Sequence, residues 1–213
     1  MSYNLGQQIR KAMRLSICLA FGLLTLSTAA NATIVAFDSD PFAGTTALTD
    51  SGRQIVGGPG TAINFDIATD VFSFDRGVFG VDQILFANDL AANLPATGIN
   101  TVVLLNGAPL AAGIAANLIA AQITDPGPGF FIYFNTGLDL PRLVYSTDLS
   151  DENADLAILG RLINLNGPGG FAALPAFTAA NFTATPEPST FLLTSAGALL
   201  TFGLVLRRRR SRG

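Results

Sequence analysis

The sequence predicts an α+β fold: a mixed β-sheet with a few short helices, preceded by a signal peptide and followed by a transmembrane helix. Three observations predict it. The 213 residues are 49% hydrophobic and only 13% charged, far from the low-hydrophobicity, high-charge regime of disordered chains. Short runs of β-branched and aromatic residues alternate with runs of helical periodicity. Residues 100–105 (NTVVLL) and 130–134 (FFIYF) are separated by a helical stretch, as in a crossover unit with parallel strands. Residues 130–134 and 142–146 (RLVYS) are joined through Asn135-Thr136-Gly137, as in an antiparallel hairpin. A sheet containing both kinds of pairing is mixed. The alternative is an all-β sandwich, with the apolar helical stretches misread.

The elements follow in chain order. Residues 33–37 (TIVAF) form a first short strand. Residues 38–61 are rich in Gly, Pro, Ser and Thr and predict loop, with 54–56 (QIV) as a brief strand. Residues 62–67 and 70–74 read as strands; in the second, Phe72 and Phe74 share one face and Val71 and Ser73 the other. Residues 83–93 predict a short helix that stops before Pro95. Leu110, Ile114, Leu118 and Gln122 fall on one stripe with Ala115 and Ile119 beside it, which predicts a helix over 110–123. The DPGPG run at 125–129 breaks the chain. In FFIYF, Phe131 and Tyr133 face one side and Phe130, Ile132 and Phe134 the other, so both faces are apolar, as in a central strand. Ser150 reads as an N-cap with Asp151 and Glu152 in the first turn, which predicts a helix to residue 164, ending before Gly167-Pro168-Gly169-Gly170. Residues 171–182 are a final short helix or irregular segment interrupted by Pro175.

The two ends read as addresses. Residues 1–32 have a positive start (Arg10, Lys11, Arg14), an apolar run over 15–26 and then Ala30-Asn31-Ala32. Twelve apolar residues are too few to span a bilayer, which takes about 20 per helix, and the A-x-A pattern predicts cleavage between Ala32 and Thr33. There is no twin-Arg pair, so the expected partners are the Sec translocon and a signal peptidase. Cys18, the only cysteine, leaves with the signal. At the other end, Thr185-Pro186-Glu187-Pro188-Ser189 leads into an apolar segment over 191–206 and then Arg207, Arg208, Arg209, Arg210 and Arg212. Residues 190–206 are read as the transmembrane helix and 207–213 as a basic tail, held on the cytoplasmic side by its charge. The two prolines disfavour helix and make the preceding segment extended.

The order of Pro186-Glu187-Pro188, short apolar helix and arginine cluster resembles the PEP-CTERM sorting domain. The resemblance covers residues 184–213 and leaves the body unassigned. It implies a Gram-negative bacterium that makes exopolysaccharide, and processing by an exosortase-like membrane enzyme. The domain plan is therefore a signal peptide (1–32), an extracytoplasmic globular domain (33–183) and a sorting and anchor segment (184–213).

The body excludes much chemistry. Residues 33–185 contain four arginines and fourteen acids, a net charge of −10, which the basic ends hide. Nucleic acid is not an expected partner of so acidic a surface. With no His, Cys or Lys there, a Ser-His-Asp or Cys-His arrangement, a Walker loop and the usual zinc, copper and haem ligands are missing. Carboxylates remain. A carboxylate-based polysaccharide hydrolase is the minor possibility, with no pair to nominate. Calcium is the better ligand, because it takes oxygen donors. Asp148, Asp151 and Asp155 are the candidate ligands, in a run with four acids in eight residues; the competing reading is a helix N-terminus with acids against its dipole. Asp38-Ser39-Asp40 is a smaller cluster. Neither matches an EF-hand loop. Residues 90–124 carry no charge in 35 positions and read as the buried centre of the fold, or else as a self-association face.

The expected function is that of a non-enzymatic exported protein: transiently anchored in the inner membrane, sorted to the envelope or extracellular matrix, and structural or interacting there, with exopolysaccharide as a candidate partner. A calcium- or glycan-binding adhesion module is the alternative.

Overall fold

A computed structural model describes residues 32–107 and 111–186. The chain divides into two units between Asn31 and Ala32, and the described residues belong to the second. Ala30, Leu110, Glu187, Pro188, the segment 190–206 and Arg207 to Arg210 lie outside the described residues.

The fold is α+β with mixed sheets. The elements are β1 (Ile34–Phe37), β2 (Ile55–Val56), β3 (Thr61–Ile63), β4 (Val71–Asp75), α1 (Arg76–Phe79), β5 (Phe86–Asp89), β6 (Thr101–Leu104), α2 (Ala112–Ala120), β7 (Gly129–Asn135), β8 (Leu140–Ser146), β9 (Leu156–Leu162), α3 (Gly167–Ala173) and β10 (Phe182–Thr185). A large sheet runs β2-β9-β8-β7-β6-β5, with β3 also on β9. A small sheet runs β1-β4-β10 and is wholly parallel. The β6-α2-β7 crossover is parallel and the β7-β8 hairpin antiparallel, as the sequence pattern predicts.

Each face of the large sheet has its own core. On one face, Val103, Phe130, Ile132, Leu143 and Tyr145 pack with Phe72, Phe74 and Phe182 of the small sheet. Aromatic rings join the sheets: Phe74 stacks on Phe130 with centroids 3.7 Å apart, and Phe79 meets Tyr145 edge-on at 5.0 Å. Such pairs add about 0.5–1.5 kcal/mol each to their area burial. On the other face, Val102, Leu104, Phe131, Tyr133, Val144 and Ile158 pack under Ala112, Ala115, Ala116 and Ile119 of α2. The strand FFIYF feeds both cores, so its alternation is between two interiors. The sandwich alternative describes one face correctly and misses the helical layer on the other.

Four expectations are corrected. Residues 83–93 are not a helix; they hold β5 and a 3-10 turn, Ala91–Asn93, because β5 completes the edge beside β6. Residues 150–164 are not a helix either. The Ser150 hydroxyl does not cap helical N–H groups; it donates to Asp148 Oδ1 at 2.8 Å. The apolar run that follows becomes β9, paired on one edge with β8 and on the other with β2 and β3. Two paired edges satisfy more backbone than an isolated short helix does.

The stripe on α2 is displaced. Its inward residues are Ala112, Ala115, Ala116 and Ile119, while Ile114 is 51% exposed. Small residues let the helix approach a sheet that already carries Phe131 and Tyr133. Finally, Gly167-Pro168-Gly169-Gly170 starts α3 rather than ending a helix. Pro168 occupies the first turn, where its missing N–H costs nothing. A side chain on Gly170 would run into the backbone of Leu165. The last strand, β10, ends at Thr185.

Candidate functional site

The small sheet receives the chain at one end and releases it at the other. All three strands are parallel, so Thr33 precedes β1 beside the start of β4, and Thr185 closes β10 beside the last residue of β4, Asp75. The two predicted processing positions therefore flank opposite ends of one three-stranded sheet.

At the first end, Thr33 is held twice. Its N–H donates to Asp70 Oδ1 at 2.8 Å, and its carbonyl accepts from Val71 N–H at 3.0 Å. Asp70 is only 5% exposed. Its Oδ2 accepts the Asp66 N–H at 2.9 Å, and the Thr69 hydroxyl donates to Oδ1 at 3.2 Å. Asn181 closes the turn from behind, donating to the Ile67 and Asp70 carbonyls. Burial raises the Asp70 pKa, but the N–H donors of Asp66 and Thr33 and the Thr69 hydroxyl outweigh it, so the carboxyl sits below its ordinary value. Ala32 and Thr33 themselves are exposed.

At the second end, Arg76 Nε donates to the Ala184 carbonyl at 3.2 Å, and the Thr185 hydroxyl donates to the Phe74 carbonyl at 3.3 Å. Pro186 follows at once. A proline there cannot extend the ladder with an N–H of its own, so pairing stops at Pro186.

The structure does not gather Asp148, Asp151 and Asp155 into a metal centre. Asp148 Oδ1 accepts Gly127 N–H, Ser150 N–H and the Ser150 hydroxyl. Asp151 Oδ1 accepts Asn153 N–H. Asp155 is buried and spans loops far apart in sequence, accepting Leu48 N–H at 2.7 Å and Gln54 N–H at 2.6 Å. Each carboxylate organises its own piece of backbone. Among the described residues no group of three or more His, Cys, Asp or Glu could hold a metal ion. In the smaller cluster, Asp40 likewise accepts Phe42 N–H.

The arginines serve backbone too. Arg53 donates to the Gly113 carbonyl of α2, and burial lowers its pKa against the opposing pull of Asp151 and Glu152. Arg142 is 8% exposed and donates to the Gly58 carbonyl. It lies directly across from Arg161 in the β8-β9 ladder, and both Nε atoms are buried without a partner among the described residues.

A shallow cleft of about 260 Å³ is lined by Asp82, Asn100 and Asp125 among others. Its polar groups are used within its own walls: Asp125 accepts Gly98 N–H and Asn100 donates to the Gln83 carbonyl. The uncharged stretch 90–124 supplies β6, fully buried, and the inner side of α2, with Leu90 and Ile114 exposed. Its described residues divide between interior and surface, with 92–93 and 95–98 exposed as well.

Sequence reasoning missed the roles of Asp70 and Asp155. Asp70 has no local mark, and Asp155 stood out only as a member of an acidic run read for calcium; their partners Thr33 and Leu48 lie 37 and 107 residues away. Comparison with known protein families, curated proteins and solved structures finds no match. Among the described residues no helix is long and apolar enough to cross a membrane.

Proposed function

We propose that this chain is exported, cut after Ala32, sorted through Pro186-Glu187-Pro188 by an exosortase-like enzyme, and released as a non-catalytic envelope or matrix protein. Its transient partners are the Sec translocon, signal peptidase and the inner membrane. Its lasting partners are matrix components, exopolysaccharide among them. One observation carries the reading. β1 starts two residues after Ala32, and β10 ends one residue before Pro186. Cutting at both junctions removes the two basic, apolar ends and leaves every strand of the body in place. The non-catalytic role is supported by a body without His, Cys or Lys, whose best-defined buried carboxylates are engaged by backbone N–H groups.

The test is intact-mass spectrometry of the protein from its producing organism, with membrane and medium kept separate. The expected product starts at Thr33, ends near Pro186 and lies outside the inner membrane. A chain that still carries residues 191–213 in the membrane fraction would replace sorting by a permanent anchor.

A further inference from the structure

We propose that Asp70 is the receptor for the α-ammonium group that signal-peptide removal creates at Thr33, so that export converts a hydrogen bond from an uncharged donor into an ion pair. The inference rests on the cleavage reading above. Hydrolysis of the Ala32–Thr33 bond consumes one water. Its hydroxyl goes to the Ala32 carbonyl carbon, its hydrogen to the Thr33 nitrogen, and the new amine takes a proton from solvent at neutral pH. The nitrogen that gains the charge already stands 2.8 Å from Asp70 Oδ1. Val71 holds the Thr33 carbonyl from the other side, so the atom need not move to form the pair.

The receptor suits a cation. Asp70 is buried and its hydrogen-bond partners are two backbone N–H groups and one hydroxyl, with no guanidinium among them. A buried carboxylate held by neutral donors alone gains most from a positive neighbour. Before cleavage the Thr33 nitrogen can donate only one hydrogen; afterwards it has three and a full charge. Ala32 and Thr33 are exposed residues, and the carboxylate that would receive the new amine is already in place behind them.

The pH dependence follows from the groups around the pair. Asp66 is the titratable neighbour in the turn, and its carboxylate is taken up by Ala68 N–H. The 3-10 turn packed behind contributes the neutral amide of Asn181. An α-amino group normally titrates near 7.7–8.0. Pairing raises that value in the folded state, so its contribution is complete below about pH 8 and is lost as pH rises through the raised value. On the acid side, the contribution of Asp70 is present above the ordinary carboxylate range and is lost as pH falls through its lowered value.

The sequence supplies an unusually clean probe. Lys11 is the only lysine and lies in the signal segment, so the processed protein carries one amine, the α-amino group of Thr33. The processed protein from its producing organism is acylated with an amine-reactive ester at neutral pH, native and in urea. Native protein is expected to label about tenfold more slowly than unfolded protein, which is one unit of raised pKa. Asp70→Asn is expected to abolish the difference, and acetylating the wild-type amine to lower Tm by less than Asp70→Asn, which also disturbs the bonds from Asp66 N–H and the Thr69 hydroxyl. Equal labelling rates for native and unfolded wild type overturn the proposal without any variant having to fold. Intact mass separates the two failures. A sorted chain that begins elsewhere than Thr33 overturns the ion pair and leaves export standing; a chain that retains residues 1–32 overturns both.

Discussion

The two sheets are built from opposite kinds of sequence. The large sheet takes five of its strands from one stretch, residues 86–162, and its middle is a crossover followed by two antiparallel returns. The small sheet is assembled from β1, β4 and β10, which begin at residues 34, 71 and 182. Its centre, β4, has no sequence neighbour beside it; its edges are the first and last strands of the described body. Contacts of high sequence separation cost more loop-closure entropy, so the small sheet depends on side-chain burial shared with the large one. The difference teaches that the part nearest the proposed processing junctions is also the part least able to stand alone.

Phe74 tests that dependence most severely. It is fully buried, stacks on Phe130 and pairs with β1 and β10 through its own strand. Phe74→Ala should cost about 3–5 kcal/mol, seen as a single lowered midpoint in urea. Two separate transitions would break the comparison, because the small sheet would then be melting by itself.

The helix-covered face should respond next. Ile119→Ala removes a fully buried side chain from beneath α2 and should cost about 2–5 kcal/mol. The matching loss should appear in thermal unfolding with native secondary structure retained below the midpoint. Smaller again is Asp155→Ala, which orphans Leu48 N–H and Gln54 N–H and should cost about 1–3 kcal/mol. Calcium sharpens this third prediction. If Asp155 serves backbone alone, millimolar calcium or chelator leaves Tm unchanged; a calcium-dependent rise would restore a metal role. The smallest effect belongs to Ile114→Ala, within about 0.5 kcal/mol, since that side chain is half exposed. A loss as large as that of Ile119→Ala would mean that the outer side of α2 is covered by something.

Legibility followed sequence separation. The hairpin of β7 and β8 and the crossover from β6 were readable because each pairing involves neighbours in the chain and a turn or helix between them. β9 was not. Its local signals, Ser150 followed by two acids and then an apolar run, are those of a helix start, and the pairings that override them are with its chain neighbour β8 on one edge and with β2 and β3, about 100 residues earlier, on the other. β5 was missed although its partner, β6, is the next strand in the chain, so separation does not account for every miss. On α2 the helix was readable and its orientation was not, because two adjoining stripes were both apolar and only the bulk of Phe131 and Tyr133 beneath selects the alanine side. The junction residues were legible as motifs. That Thr33 meets a buried aspartate was not, because a hydrogen bond across 37 residues has no local trace.

By itself, the sequence determined the α+β class, the central apolar strand with two interiors, the absence from the body of histidine, cysteine and lysine, and the two candidate processing motifs. Those follow from composition and short-range periodicity, which act within a turn or a strand. Tertiary structure decided which segments flank β4 and β9, which side of α2 is buried, and what Asp70 and Asp155 hold. These choices compare whole arrangements of distant backbone and bulky side chains, and no window of neighbouring residues contains that comparison.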